Sequence, residues 1–235
     1  MSTRDAPPAG SVVLTCGDAF HAWAEHFPTT TVVPLAGTPS RADVDPLLHD
    51  AARLVVAGTD ADLAAVLVRL LRTERLDLPV AFLPPASSEA AAVWGIPTTP
   101  EAALELAASG TPSPAPLIRD DRGGVVAGVH RVEAFSGVAY CDEHELVRGE
   151  ATGLVVRPDP DHAARTDVGP GGGGVTVTLL GPRRLLRRPT ERTRHGRAAT
   201  LGCRPAAASR DGVPDPRPLE RRSWYRHTED WHLVR

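Results

Sequence analysis

The chain contains no lysine; all 26 of its basic residues are arginine. That absence excludes a P-loop lysine and a Schiff-base mechanism, and it leaves arginine as the permanent side-chain cation. Cysteine is scarce as well. Cys16, Cys141 and Cys203 lie far apart with no C-x-x-C pair, which fits reduced, packed thiols better than a disulfide framework or a zinc site. No apolar run reaches the roughly 18 residues of a membrane span. The stretch from Met1 to Ala9 is polar and proline-containing, so no signal peptide is expected and the chain is placed in the cytoplasm. There is no H-E-x-x-H and no G-x-S-x-G, the signatures of a zinc protease and of many serine hydrolases. His21 and His26 miss the i, i+4 spacing of paired helical ligands, and Cys141 with His144 is half a site at best, so no metal-ligating set is predicted.

What is present is enough for a packed protein. The 235 residues are 42% apolar, sufficient for one large domain or two small ones. Lysine-free, Ala/Arg/Pro-rich usage points to a GC-rich bacterial genome of actinobacterial appearance. The net charge of -3 conceals an asymmetry. Residues 1–124 carry 8 Arg against 15 acids, and the remainder carries 18 Arg against 14 acids. The two halves therefore differ in character, as two domains would.

The first half alternates strand and helix signals. Ser11 to Thr15, Thr31 to Leu35, Arg53 to Ala57 and Val80 to Leu83 are β-rich runs. Phe20, Trp23 and Phe27 recur at helical spacing, and Asp43 to Ala52 reads as a short helix. From Asp60 onward, Leu63, Val66, Leu67, Leu70 and Leu71 form an amphipathic stripe. Ser87 or Ser88 is expected to cap a helix running to Trp94, and Thr98-Thr-Pro-Glu101 opens another that Gly110 ends. Strands alternating with helices imply a parallel sheet covered by helices on both faces, whose ligands bind at the carboxyl ends of the strands.

After Gly123-Gly124 helical periodicity gives way to short β-type segments: 125–132, 137–140, 145–156 and 175–180. Residues 222–235 read as a strand, a polar turn and a second strand, with Trp224, Tyr225 and Trp231 packed. The predicted fold is α/β, a parallel sheet with flanking helices followed by a smaller β-rich domain. Its predicted divisions are a flexible tail at 1–10, the α/β domain at 11–124, and the β-rich domain at 125–235 with a mobile loop at about 157–174.

Val55-Val-Ala-Gly58-Thr59-Asp60-Ala61-Asp62-Leu63 is a strand, a turn and the start of a helix. Here the sequence resembles the diacylglycerol kinase family and, more distantly, NAD kinases, whose motif at this place is Gly-Gly-Asp-Gly-Thr. Gly58 and Asp60 match it; Thr59, Ala61 and Asp62 depart from it. Leu83-Pro-Pro-Ala-Ser-Ser-Glu-Ala-Ala-Ala92 is similar to the family's Leu-Pro-x-Gly-Thr-x-Asn-x-x-Ala segment, followed in both by Gly-Ile-Pro, here Gly95 to Pro97. Ala86, Ser87 and Glu89 replace its glycine, threonine and asparagine. Ser209-Arg-Asp-Gly-Val213 resembles the family's Asp-Gly-Glu, with Asp211 and Gly212 kept.

The resemblance implies an ATP-dependent lipid kinase with nucleotide in an interdomain cleft. It implies Gly58, Thr59, Asp60 and Ser87 against ATP and Mg2+, and Asp211 as the base taking a proton from a lipid hydroxyl. The lost glycines restrict approach to a triphosphate, and Asp62 adds a repelling carboxylate. A non-catalytic relative that binds a nucleotide, another anion or a partner protein therefore stands beside the active kinase. Residue-level alternatives also stand: Asp60 as an N-cap, Gly58 as a tight-turn glycine and Asp211 as an ordinary turn residue. Arg183 to Arg197 holds seven arginines, which would attract phosphate groups of a nucleotide or of an anionic membrane surface, or simply be solvated beside an acidic half. Nucleic acid is disfavoured, because the total charge is negative and no recognition helix or stacking motif is visible.

Overall fold

The computed structural model describes residues 7–164, 173–181 and 191–235. The chain divides into two units, Met1–Ala115 with Glu229–Arg235, and Pro116–Thr228. Most of the tail expected at 1–10, the centre of the loop expected at 157–174, and residues 183–190 of the arginine-rich segment lie outside the described residues.

In the first unit, β1 (Ser11–Cys16), β2 (Thr31–Leu35), β3 (Arg53–Ala57) and β4 (Val80–Leu83) form a parallel set in the order β2-β1-β3-β4. Every residue of β3 and β4 is buried, as the continuous apolar runs require of inner parallel strands. Two further strands complete the sheet. The last strand of the chain, Trp231–Val234, runs parallel beside β4 and pairs antiparallel with β5 (Pro112–Ala115). The sheet is thus mixed, and the expected boundary near Gly124 is corrected to one after Ala115.

The reason for that return is burial. Trp231, Leu233 and Val234 are at most 1% exposed, and Trp231 meets Trp94 edge to face at 5.5 Å. Gly123-Gly124 is a turn inside the second unit, where the Gly124 N–H donates to Asp120 at 2.8 Å. A Cβ on Gly124 would stand 1.7 Å from the Arg210 guanidinium.

Four helices serve the first sheet: α1 (Arg41–Val44), α2 (Asp60–Arg72), α3 (Glu89–Trp94) and α4 (Pro100–Ser109). The short helix expected from Asp43 begins earlier, with Ser40 and Asp43 forming its capping box, and passes into a 3-10 turn at Asp45–Leu47. Phe20, Trp23 and Phe27 attend a 3-10 helix, Asp18–His26. They pack with Val13, Val55, Ala57, Ala81, Leu83 and the alanines of α4 on one face of the sheet. Arg53 is buried and donates to the carbonyls of Ala107, Ala108 and Gly110 at 2.8, 3.3 and 3.1 Å. It supplies the positive charge and the donors that the carboxyl end of α4 lacks.

The second unit is built from β6 (Ile118–Asp120), β7 (Val125–Val126), β8 (His130–Val132), β9 (Phe135–Cys141), β10 (His144–Ala151), β11 (Gly153–Pro158), β12 (Val175–Leu180), β13 (Glu191–Gly196), β14 (Ala198–Ala206), β15 (Ala208–Arg210), β16 (Val213–Pro214) and β17 (Leu219–Arg226). They make two six-stranded sheets, β10-β9-β14-β17-β6-β7 and β13-β12-β11-β8-β15-β16. Alternate residues of both sheets, among them Ala139, Leu201 and Trp224 from one and Leu154, Val156 and Val177 from the other, share one core. At its edge Asp120 accepts from Arg210 and Arg222 at 2.7 and 2.8 Å. Burial alone would raise the Asp120 carboxyl, but the N–H of Gly124, the two guanidinium groups and the N–H of Arg122 hold it below the usual carboxylate range.

Candidate functional site

The strand-turn-helix after β3 stands at the carboxyl end of the parallel sheet, at the place where the family resemblance implies a phosphate loop. Gly58 is buried, and its N–H donates to the Leu83 carbonyl at 3.3 Å. Thr59, not Asp60, is the N-cap of α2. The Thr59 N–H and Oγ1 donate to Asp62 Oδ2 at 2.8 and 2.7 Å, and the Asp62 N–H donates back to Thr59 Oγ1 at 3.3 Å. This is a closed capping box, which satisfies donors that the first turn of a helix otherwise leaves free.

Asp62 is 4% exposed and lies directly over the turn. A Cβ on Gly58 would come within 2.9 Å of both Asp62 Cβ and Asp62 Oδ2, and within 3.0 Å of Cys16 Cβ. The space that glycine opens here is filled by the chain's own carboxylate. Burial, reinforced by the carboxylates of Asp62 and Asp43, pushes the Cys16 thiol up to about 12, so at neutral pH it is an uncharged packing group beside the turn.

Asp60 occupies the first position of α2 and is 9% exposed. Its carboxylate turns toward the second loop, where it accepts from the Ser88 hydroxyl, from the Glu89 N–H at 2.9 Å and from the Ala90 N–H at 3.1 Å. Ser88 in turn caps α3 by accepting from the Ala91 N–H at 2.8 Å. Asp60 therefore caps a helix, though not the one it begins, and it ties the two polar loops together. Ser87 is exposed and Ser88 does the work at this junction. The sequence offered both serines as caps but could not show that Asp60 reaches across to the second of them.

Asp211 belongs to the second unit. With Gly212 it makes the two-residue turn between β15 and β16, at φ 51° and 84°, and Arg210 pairs with Val213 across it. Its carboxylate is buried and accepts from the N–H groups of Ala127, Gly128 and Val129 at 3.0, 2.8 and 2.9 Å. The aspartate suggested by resemblance as a base thus anchors the chain between β7 and β8. Among the described residues no group of three or more His, Cys, Asp or Glu side chains could hold a metal ion.

Neither a protein-family model nor a curated protein matches the sequence. Solved structures do match over the whole chain. A diacylglycerol kinase from Bacillus anthracis strain Sterne superposes with a TM-score of 0.69 at 11% identity, covering 100% of this chain and 98% of that one. An NAD kinase from Archaeoglobus fulgidus in complex with ATP gives 0.56 at 13% identity over 96% and 92%. Yeast NADH kinase complexed with NADH gives 0.52 at 14% over 97% and 83%. The fold is that of the diacylglycerol and NAD kinase structures, as the Gly58 to Asp62 and Leu83 to Pro97 segments imply.

Proposed function

We propose that this chain is a diacylglycerol-kinase-like protein that does not transfer phosphate and serves as a non-catalytic, regulatory or structural relative. The observation that carries this reading is the Asp62 carboxylate seated against Gly58. A phosphate at a helix N-terminus is held by the backbone N–H groups of the first turn and by the positive end of the helix dipole. Here Thr59 gives its N–H to Asp62, and two buried acids occupy the first turn. A triphosphate would have to displace one carboxylate and approach the other, against strong like-charge repulsion.

The remaining parts fit an active kinase no better. The Asp60 oxygens are committed to Ser88, Glu89 and Ala90, which leaves little to offer magnesium. The Asp211 oxygens accept from three backbone donors, a holding role that a base free to take a proton would not need. Mg–ATP does not fit these residues, and no phosphoryl-transfer step is routed through them.

An ATP-dependent lipid kinase of low activity is the second reading. It is favoured by the fold and by Asp60 standing at the motif position; in the comparison, the archaeal NAD kinase is the protein complexed with ATP. One experiment separates the two: a thermal shift with saturating ATP and magnesium on the wild type and on Asp60→Ala, alongside phosphate transfer from labelled ATP to diacylglycerol micelles. We expect no shift and no labelled lipid. A wild-type shift that is lost in the variant, accompanied by turnover, would establish the kinase instead.

A further inference from the structure

The three sheets present six edge strands among the described residues, and five are blunted. β2 carries Pro34 and β5 carries Pro112 and Pro114. β7 and β16 have two residues each. β10 is broken by a register shift between Glu145 and Val147. Prolines, bulges, brevity and charged side chains are the usual means by which a sheet edge avoids pairing with another chain.

β13 has no proline, bulge or brevity; its protection is charge, chiefly Arg192 and Arg194, which turns away like-charged strands but not an acidic one. It runs for six residues without proline, and it pairs with β12 in unbroken register from Glu191 opposite Leu180 to Gly196 opposite Val175. Glu191 to Arg194 are exposed, and no other described strand is paired to the far side of β13.

The side chains of β13 alternate. Arg192 and Arg194 stand opposite Leu179 and Val177, on the side of the sheet that faces the core. Thr193 and His195 stand on the other side, bonded across the ladder to Thr178 and Thr176 at 3.0 Å each. This spacing decides what can be added. A second copy of β13 laid antiparallel, with its faces in phase, sets Arg192 against Arg194, Arg192 against its own counterpart or Arg194 against its own. Like charges directly opposite each other on a sheet destabilise the pair, so self-pairing is disfavoured. An extended segment with acidic residues at i and i+2 would meet both arginines and pair with the outward backbone groups of β13 that no other described strand takes.

We propose that β13 is a docking edge for an extended acidic peptide segment of a partner protein, which adds as a seventh strand to this sheet. The proposal is independent of whether the turn at Gly58 binds nucleotide. It is tested with a labelled, end-blocked peptide of alternating threonine and glutamate, titrated against the full chain by fluorescence anisotropy. The controls are a peptide of equal charge with a central proline, and the R192S/R194S double variant, its fold checked by circular dichroism.

Saturable binding is expected, weakened about tenfold or more both by the proline and by loss of the two arginines. Hydrogen exchange should slow across 191–196 when the peptide is present. Absence of saturable binding, or equal binding of the proline peptide, overturns the proposal. Attachment to phosphatidylglycerol vesicles with no peptide binding also overturns it, in favour of a membrane surface.

Discussion

Gly58 offers the sharpest test of whether the turn after β3 exists for packing or for a phosphate. Replacing it with alanine places a Cβ within 2.9 Å of Asp62 Cβ and Oδ2 and within 3.0 Å of Cys16 Cβ. The backbone of α2 and the inner strand β1 both resist displacement, so the variant should lose about 1–3 kcal/mol, the usual cost of overpacking a tight site. Asp62→Gly loses the capping box and pays the helix cost of glycine, together about 1–2 kcal/mol. It also removes two of the three atoms that crowd the new methyl group. The double variant should therefore be less destabilised than the sum of the singles by about 1 kcal/mol, the scale of coupling between residues in contact. Urea unfolding of the ligand-free protein, followed by tryptophan fluorescence, measures all three. A neutral Gly58→Ala, or strict additivity in the cycle, would falsify the claim that the chain's own carboxylate fills this turn.

Asp60→Ala removes the acceptor for Ser88, Glu89 and Ala90 and should cost about 2–4 kcal/mol in the same assay, because partly buried donors are left without partners; a loss below about 0.5 kcal/mol would show the junction to be incidental. Asp211→Ala strands three backbone N–H groups and should cost a similar amount of about 2–4 kcal/mol, whereas a stable variant would return Asp211 to the list of groups free for chemistry. His130 is fully buried, accepts from the Trp224 indole N–H at 2.9 Å, and is pushed down to about 4 by burial, with Asp215 opposing and Arg222 and Arg210 reinforcing the shift. Because the unfolded chain takes up this proton near 6.5 and the folded chain does not, stability is complete above that pH and falls as pH drops toward 4, by about 3 kcal/mol in all. The unfolding free energy of His130→Phe should show a shallower slope over that window, and an unchanged slope would remove His130 as its source.

Much of the fold was legible because its signals are local. The buried runs at Arg53 to Ala57 and Val80 to Leu83 and the apolar stripe from Leu63 to Leu71 became β3, β4 and α2 within a residue or so. What escaped depends on distant contacts. Pro112 to Ala115 has no strand signature, and it becomes β5 only because residues 231–234 return beside it. The strand-turn-strand signal at 222–235 does hold two strands, yet they enter different sheets in different units. Gly123-Gly124 marks the change of texture in the sequence, but Gly124 lies inside the second unit, where the absence of a side chain lets Arg210 reach Asp120.

The motif comparison singles out the turn at Gly58, the loop after Leu83 and the hairpin at Asp211, and the chemistry of those places depends on contacts that no motif records. Its two aspartates, Asp60 and Asp211, are buried and hydrogen-bonded to backbone N–H groups. An aspartate suits both tasks, since a carboxylate that accepts several N–H bonds holds a loop as firmly as it can serve a ligand. Identity at such a position therefore says little about activity. The departures say more: Asp62 supplies the anion that its own turn would otherwise attract, and Ala61 adds a side chain where the motif has none. Restoring the motif threonine alone would free the Thr59 N–H but leave Asp60 committed to α3. A variant with Asp62→Thr should accordingly regain at most weak anion affinity, seen as a small phosphate-dependent thermal shift. Strong binding of Mg–ATP by that single change would mean that Asp60 leaves Ser88 readily, and that the junction between the two loops is a gate and not a fixed joint.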